Sequence, residues 1–184
     1  RDELMGRVPA DFDIATSARP EQVMGIFGKA QQVGVSFGVV LVRQQQQTVE
    51  VATFRTDGQY SDGRRPDSVQ FATAEVDAQR RDFTCNGLFF DPVSQQLHDY
   101  VGGKADIEQC ILRAIGNPAH RFGEDYLRML RAVRFSARLN FTIEAETWAA
   151  ICGRVACIGS ISKERIGEEL RMMLEHPARG KAAE

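Results

Sequence analysis

The chain has 184 residues, and its 23 Lys and Arg against 25 Asp and Glu give a formal net charge of −2 at pH 7. This length predicts one domain, or one domain with an appendage. The near balance of charge does not argue against a nucleic-acid partner, because local charged patches decide such binding. No apolar run is long enough to span a bilayer and no charged-then-apolar leader precedes Asp11, so we expect a cytoplasmic protein with no membrane partner.

The cysteines and histidines indicate no zinc site. The four cysteines form no CxxC pair, and the three histidines show no zinc-ligand spacing beside them. Reduced thiols of structural type are therefore the expectation.

The first informative stretch is GRVPADFDIAT at 6–16. Turn residues are followed by polar and apolar residues in alternation, which predicts a strand with Asp11 and Asp13 on one face and Phe12 in the core. Two adjacent carboxylates repel each other and are tolerated when cations lie between them. Hard oxygen ligands of this kind suit Mg²⁺, so the stretch predicts a magnesium site.

The next segments predict a helix through Val23 and Phe27, a buried strand at 37–42 and a second strand at 48–54. Alternation in the second strand places Glu50 on the face opposite its valines. Glu50 joins the carboxylate cluster if this strand lies beside the first one. The alternative is an ordinary glutamate that faces solvent.

Residues 57–66 contain many turn-forming residues and therefore predict a long loop. Its Arg64 and Arg65 form a solvated charge pair or contact phosphates. Beyond the loop, composition predicts a helix at 75–81, strands at 88–90 and 97–99, and a helix entered, or a hinge formed, at Gly102-Gly103.

From Asn117 onward the apolar period is helical. One stripe contains Leu127, Leu130, Val133 and Ala137, further helices are predicted at 143–151 and 162–174, and Ser162 is the predicted N-cap of the last. The pattern is a mixed α/β half to about residue 99 and an all-helical half after it.

Six segments follow one another in the order and spacing of class II tRNA nucleotidyltransferases, the family of CCA-adding enzymes and bacterial poly(A) polymerases, which nearly the whole chain resembles. They are GRVPADFDIAT, EVATFR, RRDFTCN, DYVGGKAD, RAIGNPAHRFGEDYLRMLRAVRF and SKERIGEEL. The resemblance implies an α+β fold, with a palm-like nucleotidyltransferase head containing a mixed β-sheet at 1–115 and an all-helical neck for nucleobase recognition at 116–184. The family's body and tail would lie beyond residue 184.

The resemblance also implies chemistry. Asp11 and Asp13 match the metal-binding carboxylates and Glu50 the third acidic position, so Mg²⁺ would serve two-metal attack of an RNA 3′-hydroxyl on the α-phosphate of a nucleotide, with release of pyrophosphate. The implied activity is addition of CCA to tRNA 3′ ends from CTP and ATP. The alternatives are a poly(A) polymerase, a CC- or A-adding enzyme and, from another class, a non-catalytic nucleotide- or RNA-binding module. The loop at 57–66 favours a complete CCA-adding enzyme.

The nucleotide-binding residues that the family motifs imply come from two segments. The RRDxTxN element, expected at the triphosphate and ribose, supplies Arg80, Arg81, Asp82 and Asn86. The EDxxR motif reads the base through Asp125 and Arg128, with Arg131 and Arg134 continuing the basic side. Asp125 and Arg128 are three residues apart, which predicts neighbours on one helical face, where they would complement cytosine and adenine but not uracil or guanine. Without the family, the pair would be an ordinary surface ion pair. The sequence does not predict an oligomeric state.

Overall fold

The computed structural model describes residues 1–9, 12–33, 38–44, 47–58 and 68–183. Its strands are β1 (Asp13–Thr16), β2 (Ala30–Gln32), β3 (Val39–Gln44), β4 (Gln47–Thr53), β5 (Arg55–Asp57), β6 (Val69–Phe71), β7 (Leu88–Asp91), β8 (Gln96–Asp99), β9 (Ile111–Leu112) and β10 (Thr142–Ile143). Its helices are α1 (Pro20–Ile26), α2 (Ala74–Gln79), α3 (Gly103–Glu108), α4 (Pro118–Glu124), α5 (Leu127–Leu139), α6 (Ala145–Arg154), α7 (Lys163–Glu175) and α8 (Arg179–Ala183). Short 3₁₀ turns cover Glu3–Met5, Thr84–Asn86 and Val155–Ser160.

The largest sheet in the described residues has four strands in the order β1-β4-β3-β2. β1 runs parallel to β4, and the other pairs are antiparallel. Helix α1 covers one face, where Val23 packs against Val40, Val42 and Val51. The sheet is therefore mixed, which confirms the predicted α+β fold with a mixed sheet. Helix α1 does not cover the opposite face of β1 and β4.

A second, larger core joins residues 83–114 to the helices that follow. Phe83 and Leu112 from the first part pack with Phe122, Met129 and Phe135 from the second, and all five are buried. This core spans both sides of the predicted division between 1–115 and 116–184, which stays a prediction. The helical part also contains β10, which pairs in parallel with β9.

The first strand differs from expectation in its burial. Phe12 is 66% exposed and Ile14 47%, so the prediction that Phe12 points into the core is wrong. Strand β1 is the edge of the sheet, and α1 packs over the valines of β3 and β4 instead.

The buried face of α5 also differs from the predicted stripe. Of the predicted positions, Leu127 and Ala137 are buried, whereas Leu130 and Val133 are half-buried. The core contacts of α5 come from Met129, Ala132, Phe135 and Leu139. Helix α5 packs against α7 and α8 as well as against the core, so apolar residues line more than one of its sides and periodicity alone predicts the buried positions only in part.

Two other helix boundaries were predicted from local patterns. Ser162 precedes α7 as predicted, although its side chain makes no capping hydrogen bond. Ile143 belongs to β10 rather than to α6, because strand β9 is available as its partner. Within the described residues, no helix is long and apolar enough to cross a membrane.

Candidate active site

Strands β1 and β4 bring two of the predicted carboxylates together. Their parallel register places Asp13 directly opposite Glu50. Directly paired residues on neighbouring strands project from the same face, and here that face is the one opposite α1, because Val51 points to the helix. Asp11 lies outside the described residues.

Both carboxylates are accessible and uncompensated. Asp13 and Glu50 are exposed, and neither has a hydrogen-bond or ion-pair partner within the part of the chain that the structure describes. The next residues on the same face of the two strands are the small Ala15 and Ala52, paired with each other, and Leu41 of β3 lies opposite Glu50 on its other side.

These residues fit a magnesium ion in donor chemistry. Exposed carboxylate oxygens without a competing Lys or Arg are the ligands that Mg²⁺ takes in proteins, where it also keeps several waters. Across the described ranges, no group of three or more His, Cys, Asp or Glu side chains could hold a metal ion. Asp13 and Glu50 would therefore hold it together with water, substrate phosphates or a further residue.

Asp82 is the centre of a hydrogen-bonded network between the RRDFTCN segment and α5. Its side chain is 8% exposed and accepts hydrogen bonds from the Phe83 backbone N–H at 2.8 Å and Asn86 Nδ2 at 3.0 Å. Arg131 donates from Nε at 2.9 Å and from Nη2 at 2.6 Å to Asp82 Oδ2. The structure thus brings three of the predicted residues together: Asp82, Asn86 and Arg131.

This hydrogen-bonded network lowers the pKa of the Asp82 carboxyl. Burial acts to raise that pKa, but the charge of Arg131 and the hydrogen bonds from Asn86, Arg131 and Phe83 outweigh it, so the pKa lies below the ordinary value of 3.8. Asp82 is therefore ionised at neutral pH and accepts hydrogen bonds only.

The Asp82→Asn variant should lose stability in a pH-dependent way. A lowered folded-state pKa stabilises the fold above the unfolded-state pKa, and that stabilisation disappears as the pH falls through the folded-state value. We expect the variant to be less stable by about 2 kcal/mol at pH 7, with the difference shrinking below about pH 4. Urea unfolding of both proteins between pH 3 and pH 7 measures this, and an equal difference at all pH values would contradict it.

The two arginines of the RRD triplet are held by one carboxylate. Asp77, only 2% exposed, accepts from Arg80 Nη2 at 2.7 Å and from Arg81 Nε at 3.1 Å. Arg80 also donates to the Arg55 carbonyl and lies 3.5 Å from Asp57. Sequence analysis missed Asp77, although its spacing of three and four residues from the arginines was the available signal.

The predicted partners Asp125 and Arg128 do not lie side by side on one helix. Asp125 falls between α4 and α5, where it accepts from the Leu127 N–H at 3.0 Å and forms a two-point ion pair with Arg165 at 3.1 and 2.7 Å. The prediction that both occupy one helical face is wrong, because α5 begins only at Leu127.

Arg128 is fixed by neighbours on α4 instead. Its guanidinium forms a short ion pair with Glu124 and donates to the Arg121 carbonyl at 2.9 Å. The Arg128 backbone N–H donates to the Asp125 carbonyl at 3.1 Å, but among the described residues no hydrogen bond or ion pair joins the Arg128 guanidinium to the Asp125 carboxylate. Glu124 and Arg165 each hold one member of the pair that is predicted to read the base, and sequence analysis assigned neither of them that task.

Arg134 is placed differently from the other predicted residues. It is 7% exposed, and its Nε donates to Glu169 Oε2 at 2.6 Å. Both partners are buried between α5 and α7, so contact with a nucleotide would require this pair to open. Of the predicted loop at 57–66, residues 59–66, which include Arg64 and Arg65, lie outside the described residues.

Comparison with known proteins shows which families and relatives this chain is similar to. A family model described as "Poly A polymerase head domain" matches residues 1–113, and one described as "Probable RNA and SrmB- binding site of polymerase A" matches residues 140–183. The CCA-adding enzyme of Bacillus subtilis (strain 168) is 44% identical over 176 residues, which are 95% of this chain and 44% of that protein. The CCA-adding enzyme of Enterococcus faecalis is 45% identical over 175 residues, 95% of this chain and 43% of its own.

A solved structure is similar over almost the whole fold. The crystal structure of the Bacillus stearothermophilus CCA-adding enzyme in complex with CTP has a TM-score of 0.88 and 41% identity, and the match covers 98% of this chain and 44% of that one. The nucleotidyltransferase head fold implied by the motifs is confirmed. The chain spans less than half the length of these relatives.

Proposed function

This chain belongs to the family of the poly A polymerase head domain, and we propose from that membership that the protein is a template-independent nucleotidyltransferase that adds CCA to tRNA 3′ ends from CTP and ATP. The CCA-adding relatives, one of them solved with CTP, support this substrate choice. The observation that carries the proposal is the placement of Asp13 opposite Glu50, exposed and unpaired among the described residues, on the open face of the sheet.

The proposed reaction is in-line attack of the RNA 3′-hydroxyl on the α-phosphate, with pyrophosphate as the leaving group. Divalent ions, when bound, would lower the pKa of the attacking hydroxyl and neutralise charge on the triphosphate. Asp13 and Glu50, together with Asp11, would hold these ions at the sheet face. The fixed strand register supplies the orientation that such a reaction requires.

The RRDFTCN segment would bind the nucleotide. Arg81 has at least two guanidinium N–H groups without a partner among the described residues, and such groups pair well with phosphate oxygens. Asn86 and the ionised Asp82 present polar groups suited to ribose hydroxyls. Arg131 holds Asp82 in place from α5, so the segment is ordered before the nucleotide binds.

Base selection would come from Asp125 and Arg128. An ionised carboxylate only accepts hydrogen bonds and a guanidinium only donates them, so the pair complements the amino group and ring nitrogen of cytosine or adenine. Uracil and guanine present the opposite order and would leave groups unpaired. The ion pairs with Arg165 and Glu124 fix the two side chains independently of each other.

The Asp125→Ala variant should select bases less well. We expect the preference for CTP over UTP in kcat/KM to fall at least ~10-fold, since an unpaired buried polar group costs roughly 1–3 kcal/mol. Single-nucleotide incorporation with each triphosphate measures this preference. Glu164→Ala, which removes an exposed carboxylate next to Arg165, is the matched control and should leave it unchanged. An unaltered preference in Asp125→Ala would contradict the assignment.

The test of the whole function is extension of a tRNA that lacks its CCA end, by the full-length protein with Mg²⁺ and CTP, ATP or both. Addition of CCA followed by arrest supports the proposal. Long A tails would instead identify a poly(A) polymerase, an alternative favoured by the description of the matching family. Incorporation of only C or only A would indicate a CC- or A-adding enzyme, and no incorporation at all would leave a binding module.

A further inference from the structure

Asp77 is a buried carboxylate that accepts hydrogen bonds from both sides. Its Oδ1 accepts from the Arg55 backbone N–H at 3.1 Å and from Arg80 Nε and Nη2 at 2.9 and 2.7 Å. Its Oδ2 accepts from Arg81 Nε at 3.1 Å, with Arg81 Nη2 also 3.1 Å away. A carboxylate bound through both oxygens cannot rotate without breaking charge-assisted bonds, so it fixes whatever it holds.

Arg81 is held on three sides. Besides Asp77, its Nη1 donates to the Asn86 carbonyl at 3.2 Å, and its guanidinium carbon lies 4.7 Å from the centre of the Phe89 ring. Its side chain is still 31% exposed. The contact with Asp77 uses Nε and one N–H of Nη2, which leaves one N–H of Nη1 and one of Nη2, the outer edge of the guanidinium, without a partner among the described residues.

Two aromatic rings connect Arg81 to the carboxylate face of the sheet. Phe89 packs edge-on against Phe54, with the ring centres 5.3 Å apart. Phe54 continues β4 past Ala52, its N–H bonds to the Thr16 carbonyl, and alternation gives it the same face as Glu50. Phe54 lies four positions after Glu50, about 13 Å along an extended chain. The alanines of the sheet face occupy the space between them.

We infer that Asp77 is the positioning residue for Arg81: it turns the outer edge of that guanidinium toward the triphosphate of a nucleotide bound over the sheet face. Asp77 touches neither the nucleotide nor the reacting atoms and acts only through Arg81. This inference rests on the proposed nucleotidyl transfer, and it goes beyond that function by assigning a task to a residue outside the nucleotide site.

The test compares the affinities of the full-length protein for CTP and CMP by titration calorimetry. The ratio of the two affinities isolates what the β- and γ-phosphates contribute. Asp77→Asn keeps the size of the side chain but removes its charge and half of its acceptor capacity. We expect the ratio to fall about tenfold in Asp77→Asn, with CMP affinity unchanged.

A double-mutant cycle separates positioning from general support of the fold. Arg81→Ala should lower the ratio by itself, and adding Asp77→Asn to it should lower the ratio no further. A further fall in the Arg81→Ala background would overturn the inference, since Asp77 would then act by another route. If Asp77→Asn does not fold, Asp77→Glu, which retains the charge and displaces the oxygens, takes its place in the same cycle with the same expected outcome.

Asp106→Asn is the matched control. Asp106 is also buried, at 6% exposure, and it accepts from Thr84 Oγ1 at 2.7 Å and from Arg113 Nε at 3.1 Å. It therefore supports the same RRDFTCN segment without contacting Arg81, and its loss should lower thermal stability and leave the ratio unchanged. An equal fall of the ratio in Asp106→Asn would overturn the inference.

The wild-type protein distinguishes this inference from the function on which it rests. If it binds CTP no better than CMP, the proposed function fails and the inference fails with it. If it prefers CTP and Asp77→Asn has the same preference, only the inference is overturned.

Discussion

Replacing Asp13 with Asn should reduce nucleotide incorporation by the full-length protein by at least ~10²–10³-fold, the scale seen when one electrostatic group is removed from a preorganised site. The variant keeps the size and the strand position of the side chain but loses the charge that would hold a divalent cation. Because Asp13 has no ion-pair partner among the described residues, its loss uncovers no buried opposite charge, and stability should change little. Incorporation of CTP into a tRNA that lacks its CCA end, at saturating Mg²⁺, measures the effect.

Two further variants test whether the loss of activity is specific to carboxylates on this face of the sheet. Glu50→Gln, opposite Asp13 in the register, should also slow incorporation while the protein stays folded. Glu21→Gln removes an exposed carboxylate from α1, on the other face of the sheet, and should leave the rate unchanged. Wild-type activity in Asp13→Asn would contradict the assignment of the metal site to this strand pair.

Glu169→Ala should destabilise the fold by about 3–5 kcal/mol, the cost of leaving one charge of a buried pair without its partner. The Arg134 and Glu169 side chains are only 8% and 4% exposed and lie 2.6 Å apart between α5 and α7. Without the carboxylate, the Arg134 guanidinium is buried next to the Phe135 ring and has no opposite charge. The ring alone cannot replace the carboxylate. Denaturant unfolding at pH 7 measures the change.

The adjacent Glu168 provides the control, because it is exposed on the same helix, and Glu168→Ala should change stability by less than about 0.5 kcal/mol. Replacing both partners, as in Arg134→Met with Glu169→Leu, should restore most of the stability, since no buried charge then remains. A double variant as unstable as Glu169→Ala would show that packing rather than charge is lost. Full nucleotide affinity in the folded double variant would exclude Arg134 from the binding site.

The sequence alone determined the features that depend on local pattern and on motif spacing. The alternation in β4 and the turn signals after it predicted the strand that carries Glu50, because a period of two needs no knowledge of distant residues. The family motifs predicted the head fold, which the comparisons confirm over most of the chain. The functional roles of the individual residues stay predictions.

Only the tertiary structure decided which side chains meet. The register that places Asp13 opposite Glu50 joins residues 37 positions apart, and the bond from Arg131 to Asp82 joins residues 49 apart. The helical spacing of Asp125 and Arg128 suggested a pair, yet a break between α4 and α5 gives each a different partner. Neither Asp77 nor Glu169 was assigned a role from the sequence, because their importance comes from burial beside arginines. Local pattern fixes periodicity, whereas burial and ion pairing depend on contacts between distant segments, which only the folded chain specifies.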